Sequence, residues 1–296
     1  VPILPFMTIY TNKFNLPDPV VRALTSYDKG DGPVEGLRVT TLIDSPRISQ
    51  LQQRHHWQIE EDVSQLAYRV WGSAVHEIMQ KASSNAYVSE ERLCHTVGET
   101  LISGAIDYQF VEDEGVDLKD YKTTASYGIT RGIKPEWERQ INCYAYLIRH
   151  AKGLTVKSAS VVVFIRDWRQ SDADTREGYP PAPIHEMPVH LWAEDEQDAY
   201  VEERVRMHRN AEVQAEFDDL PHCTDDERWS QATKWAVHKG KGKRALRVFD
   251  VEADAQVFAG ESTDRNIQKR PGRYVRCESW CPVAPFCDQF NGGDDD

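Results

Sequence analysis

Alternating apolar and polar positions are clearest in residues 103–124, which read SGAIDYQFVEDEGVDLKDYKTT. Side chains on a strand alternate faces, and the acidic turn at Glu112, Asp113, Glu114 and Gly115 suits a tight reversal, so the stretch predicts a β-hairpin. Its second run puts Asp120 and Lys122 on one face with Val116 and Leu118. In its first run Asp107 takes the face opposite Ile106 and Tyr108, from which pairing would bring it beside Asp120 and Lys122.

Helical spacing flanks the hairpin on both sides. Asp44 or Ser45 can cap a short helix with Pro46 in its first turn. Residues 62–82 carry two apolar stripes, Val63, Leu66, Val70 and Ala74, then Trp71, Val75, Ile78 and Ala82, which predict a deeply buried helix. His76 lies in it, one turn after Gly72 and next to Glu77, and a helical glycine is expected to mark close backbone approach. Downstream, Pro135 opens a helix to about residue 152 with Trp137, Ile141, Tyr144 and Ile148 on one stripe and Gln140 one turn before Tyr144. The β-branched run in 158–166 reads as a central strand buried on both faces. A second strand is expected at 184–192, and a solvated, charged helix at 194–217. Residues 1–38, rich in Pro, Asp and Gly, read as an arm with little regular structure.

The residue types in the hairpin suggest chemistry. Two carboxylates can hold a hard divalent cation with room for water and phosphate, and a lysine beside them can orient a water or neutralise the phosphate. Each feature also has an ordinary reading: an isolated D-x-K is commonly a surface ion pair, a buried histidine is commonly a packed core residue, and a tyrosine in an apolar stripe is commonly core.

Composition narrows the class. A chain of 296 residues with 40% hydrophobic residues can bury a sizeable core. No apolar run is long enough to span a bilayer, and the start VPILPFMTIY lacks signal-peptide regions, so a soluble, cytoplasmic protein with no membrane contact is expected. The net charge of −13 argues against non-specific coating of nucleic acid. An enzyme gripping a few phosphates around a carboxylate-bound metal tolerates that balance. Basic residues concentrate at 234–247 and 269–276, and the segment 235–250, which alternates glycine with lysine, reads as a solvated turn or a basic flap on a phosphate backbone. Cys277, Cys281 and Cys287, spaced C-x3-C-x5-C, supply most of an iron–sulfur or zinc site, but no fourth ligand lies nearby.

In order, Gly72 to Glu77 (G-x-x-x-H-E), Gly104 to Asp107 (G-x-x-D), Asp120 to Lys122 (D-x-K) and Gln140 to Tyr144 (Q-x-x-x-Y) form a set that resembles the RecB-like branch of the PD-(D/E)XK nuclease superfamily, which includes CRISPR-adaptation nucleases. The resemblance spans roughly residues 40–168. It implies an α/β (α+β) fold with a restriction-endonuclease-like core, a mixed central sheet flanked by helices, arranged as an arm (1–38) and one nuclease domain (39–296). It also implies His76, Asp107 and Asp120 as ligands of Mg²⁺ or Mn²⁺ with the Tyr121 backbone carbonyl, and Lys122 as the residue that positions the attacking water. Gln140 and Tyr144 would support the site and hold DNA, and Glu77 would support His76.

Several members of that branch hold an iron–sulfur cluster through three late cysteines and one upstream. Here Ser45-Pro46-Arg47 stands where the family often shows Cys-Pro-Arg. The three late cysteines therefore read as a cluster or zinc site completed by His55, His56 or Cys223, as an altered site with free thiols, or as a disulfide. The function implied is a DNA nuclease, foremost an exonuclease acting at ends, of a kind that resembles stand-alone phage nucleases. Alternatives are an endonuclease or flap nuclease of the same fold, a catalytically idle nucleic-acid-binding module, and a structural metal protein organised by the cysteines. A homo-oligomer or a recombination or replication partner protein is compatible with this reading and is not specified by it.

Overall fold

The computed structural model describes residues 9–27, 36–82, 87–112, 115–130, 132–215 and 219–292. Positions 113 and 114 of the hairpin turn, parts of the N-terminal arm and the acidic tail lie outside the described residues. The chain forms two compact units, Val1–Leu220 and Pro221–Asp296, with mixed sheets and flanking helices in an α/β arrangement.

In the first unit the arm is more regular than its composition suggests. Asp18–Tyr27 is helical, and Ile9–Thr11 pairs in parallel with Glu60–Asp62. Helix α1 (Pro46–His55) begins at the proline, as expected. Before α2 (Ala67–Lys81), a 3-10 turn is capped by Asp62, whose Oδ1 accepts the Ser64 N–H at 3.1 Å.

Strands β1 (Glu91–Val97) and β2 (Thr100–Ile106) pair antiparallel, with Leu37–Arg38 parallel to β2 on its other side. The chain then bends at Asp107 into a second sheet, where β3 (Tyr108–Glu112) and β4 (Gly115–Thr124) form the hairpin with Tyr108 opposite Lys119. β5 (Val156–Ile165) runs parallel to β4, and β6 (Ile184–Pro188) closes the edge antiparallel. The strand expected at 184–192 therefore stops earlier. Asp120 and Lys122 thus sit on an interior strand, opposite Val161 and Val163 of β5.

Parallel neighbours need a crossover, and α3 (Pro135–Lys152) provides it. Gly153 ends this helix at φ +67°, and its N–H returns to the Arg149 carbonyl at 3.0 Å. The expected stripe of Trp137, Ile141, Tyr144 and Ile148 is buried, but so is everything else from Gln140 to Ile148. α3 packs against β1, β5 and α4 (Glu194–Ala215), which leaves it little solvent face.

Two helices depart from the sequence reading. α4 is not a purely solvated layer: Gln197, Val201, Arg204, His208 and Ala211 recur every three or four residues and are buried. Its stripe is masked because two of its members are charged or titratable. The Arg204 Nε–H donates to the Leu42 carbonyl at 2.9 Å and His208 Nε2–H to the same carbonyl at 3.2 Å, which satisfies polar atoms that burial would otherwise penalise. Conversely, α2 contains no fully buried residue, and Trp71 and Ile78 of its second stripe face outward. Ser45 and Arg47 are both buried, and Arg47 Nη1–H donates to the Leu220 carbonyl at 2.8 Å.

The second unit holds a three-stranded antiparallel sheet with β7 (Lys234–Lys239) between β8 (Ala245–Phe249) and β9 (Arg265–Arg270). The glycine–lysine segment is the connection between β7 and β8. Cys277 follows on a short helix, Cys281 and Cys287 lie in the irregular stretches between short helices, and none of the six cysteines forms a disulfide. No helix among the described residues is long and apolar enough to cross a membrane.

Candidate active site

The peptide of Tyr121, between the two charged residues of D-x-K, is the hub of the site. Asp107, at the bend between the sheets, accepts the Tyr121 N–H on Oδ2 at 2.7 Å. From α2, His76 Nε2–H donates to the Tyr121 carbonyl at 3.1 Å. The hairpin and α2 are thereby pinned to one point of an interior strand.

The other nitrogen of His76 faces carboxylates. Nδ1 lies 3.2 Å from Glu90 Oε1 and 3.3 Å from Asp107 Oδ1. Burial disfavours a charged imidazole, but hydrogen bonds to Asp107 and Glu90, with their charges, outweigh it and lift His76 to about 10. Both ring nitrogens face acceptors, as an imidazolium requires. His76 can act as a ligand only after giving up that proton, so ion binding here competes with protons.

Asp120 and Lys122 extend from β4 on one face, as alternation predicts. Asp120 is 2% exposed, and its Oδ2 lies 2.7 Å from Lys122 Nζ. That oxygen receives no aligned hydrogen bond, so the contact is an ion pair. Burial raises the Asp120 pKa, Lys122 opposes the rise, and the Asp107 charge adds to it. A buried carboxylate crowded by a second one is suited to a cation.

Gln140 and Tyr144 form the back of the site. Gln140 Nε2–H donates to Tyr144 Oη at 2.7 Å in a buried pair. Burial pushes the phenol upward, and the charges of Asp120 and Asp107 push the same way. Gly104 explains the glycine of G-x-x-D: a Cβ there would fall 2.7 Å from Tyr144 Cε1. Only a bare backbone lets α3 press this ring against β2. Gly72 is different, because a Cβ there meets only Thr123 Oγ1 at 3.8 Å, an ordinary contact. The close approach expected there is absent.

Glu77, expected to support His76, turns outward into an exposed pair with Lys81 at 2.6 Å. Glu90 stands beside the histidine instead. It sits just before β1 at φ +53°, a conformation rare outside glycine, and its N–H donates to the Asp107 carbonyl at 3.3 Å. No sequence signal separated it from Glu91, which bonds Gln109 and Lys152.

His76, Glu90 and Asp107 bring donor atoms within 4.8 Å of one another, the one such group of three among the described residues. Nitrogen and carboxylate donors of this kind, beside the buried Asp120 and the Tyr121 carbonyl, fit a divalent ion that accepts oxygen and imidazole ligands. The three late cysteines form no such group. They do not fit an iron–sulfur or zinc site as arranged.

No family model and no curated protein matches the chain. Among solved structures, SSO0001 is similar at 15% identity, with 64% of this chain and 84% of that one covered and a TM-score of 0.43. LHK-Exo in complex with dAMP is similar at 12% identity, with 62% and 90% covered and a TM-score of 0.38. The alkaline exonuclease LHK-Exo from Laribacter hongkongensis is similar at 12% identity, with 62% and 90% covered and a TM-score of 0.35.

Proposed function

We propose that the chain is a metal-dependent nuclease of the PD-(D/E)XK type that hydrolyses DNA phosphodiester bonds, acting from ends as an exonuclease. The observation that carries this reading is the convergence on the Tyr121 peptide. His76 and Asp107 hold its two polar groups while Asp120 and Lys122 flank it. A surface D-x-K pair has no reason to be buried and tied to a histidine on a separate helix.

His76, Asp107 and Asp120, with the Tyr121 carbonyl, would hold Mg²⁺ or Mn²⁺, and Glu90 adds a donor the motif pattern did not include. When bound, the ion supplies Lewis-acid polarisation of the phosphate and lowers the pKa of a water. Lys122 holds that water for attack and offsets charge on phosphate oxygens. A new P–O bond forms to the water oxygen as that water gives up a proton to solvent, the P–O ester bond breaks, and the departing alkoxide takes a proton from solvent. Tyr144, kept neutral, and Gln140 brace the carboxylates from behind. The order and spacing of the motif residues support DNA as the substrate.

The test compares linear and circular DNA, single- and double-stranded, with Mn²⁺, Mg²⁺ or EDTA. Metal-dependent loss of linear DNA with circles intact supports the exonuclease. Cleavage of circles moves the assignment to an endonuclease. Binding without hydrolysis on every substrate, with every metal, moves it to an idle binding module.

A further inference from the structure

The outward face of α2 has no role in the hydrolytic site, yet it is built in an unusual way. Tyr68 and Trp71 are 51% and 50% exposed, and their rings meet edge to face at 5.5 Å. Arg166, the residue after β5, lays its guanidinium over both, 4.5 Å from the Tyr68 ring centre and 5.4 Å from that of Trp71. Among the described residues no carboxylate pairs with Arg166, in a chain whose net charge is −13.

This cluster is tied to the two elements that carry the site, β4 and α2. The Arg166 N–H donates to the Thr124 carbonyl at 2.9 Å, two residues beyond Lys122 on β4. Trp71 precedes His76 by five residues on α2, about 7.5 Å along the helix axis and about 140° around it, so the platform lies on a neighbouring face of the helix that carries the histidine.

We propose that Tyr68, Trp71 and Arg166 form a stacking platform for an unpaired base of a single DNA strand, held beside the hydrolytic site. The proposal rests on the nuclease reading of that site. Every base has a π-face, so an exposed aromatic surface grips single strands without sequence preference. A guanidinium stacked on a ring keeps its edge donors for phosphate oxygens. An uncompensated cation suits a polyanion, whereas an apolar protein partner has no use for it. Bases stacked inside a duplex present no free face, so the platform discriminates in favour of single-stranded or frayed ends.

The experiment measures fluorescence anisotropy of labelled oligo(dT) and of a two-stranded blunt DNA duplex in EDTA, for the wild type, Trp71→Ala, Trp71→Phe and Arg166→Ala. Steady-state hydrolysis of oligo(dT) with Mn²⁺ runs in parallel. Trp71→Ala is expected to weaken oligo(dT) binding by about 5- to 100-fold, raise KM and retain kcat. Trp71→Phe should restore most of the affinity, and duplex binding should not change. Equal oligo(dT) affinity in wild type and Trp71→Ala overturns the platform and leaves the nuclease reading standing. A dimer in the wild type that Trp71→Ala dissolves, with oligo(dT) binding unchanged, overturns it in favour of a second copy on this face. A wild type that neither binds nor cuts any DNA overturns both.

Discussion

Asp120 and Gly104 show how single residues are held in place for chemistry. Asp120 is buried, crowded by Asp107 and held by Lys122, so its charge is retained against desolvation. Asp120→Asn removes that burden and keeps the shape. Its thermal midpoint is expected to equal or exceed that of the wild type while hydrolysis is lost, as calorimetry and a gel assay would show. A clear fall in midpoint would mean that the carboxylate is structural. At Gly104 the expectation is reversed. Gly104→Ala drives a methyl into the Tyr144 ring and should destabilise the fold by about 1–3 kcal/mol. Adding Tyr144→Ala should recover part of that loss, and a strictly additive pair in denaturant titrations would contradict the contact.

The site's sequence signals were residue-scale patterns, and they differ in how much they revealed. Asp120 and Lys122 were legible because strand alternation alone fixes their shared face. Asp107 was legible because pairing places it near them. Glu90 was not, because its role depends on a left-handed backbone at the entry to β1, and Glu91 beside it looks the same in sequence. Glu77 was misleading because adjacency to His76 along a helix puts it about 100° away around the axis.

At the scale of elements, periodicity exposed the stripes but not what covers them. The apolar stripe of Trp71 and Ile78 on α2 was expected inside and lies outside. The stripe of α4 was expected in solvent and is half buried, because Arg204 and His208 occupy core positions by donating to the Leu42 carbonyl. Burial and the Arg204 charge depress His208 from 6.5 to about 4, so it is neutral in the fold and protonates more readily in the unfolded chain. Its contribution is therefore full above pH 6.5 and is lost as pH falls toward 4. The loss is at most about 3 kcal/mol. Thermal midpoints should fall across that window, less steeply in His208→Gln, and identical slopes would assign the acid sensitivity elsewhere. On α2, the methyl of Gly72→Ala makes only an ordinary contact with Thr123 Oγ1 and should stabilise by up to about 1 kcal/mol in denaturant melts. Destabilisation would show that the helix cannot accept a methyl group there.

At the scale of the whole molecule, the carboxylate and lysine cluster belongs to the first unit and the late cysteines to the second. The mixed sheet with helices around it was legible from the order of patterns: hairpin, helix, strand. The division after Leu220 was not, because the basic residues that distinguish the second unit concentrate only from residue 234 on and mark no boundary. The central claim is that the cluster around the Tyr121 peptide hydrolyses DNA with a divalent ion. Its most direct measurement is a time course of end-labelled linear DNA with Mn²⁺, comparing wild type, Lys122→Ala and wild type in EDTA, with binding measured on the same substrate. The expected result is hydrolysis by the wild type alone, a loss in Lys122→Ala of about 10²- to 10⁴-fold, and DNA binding retained by the variant. Equal rates in wild type and Lys122→Ala, or hydrolysis undiminished by EDTA, would contradict it.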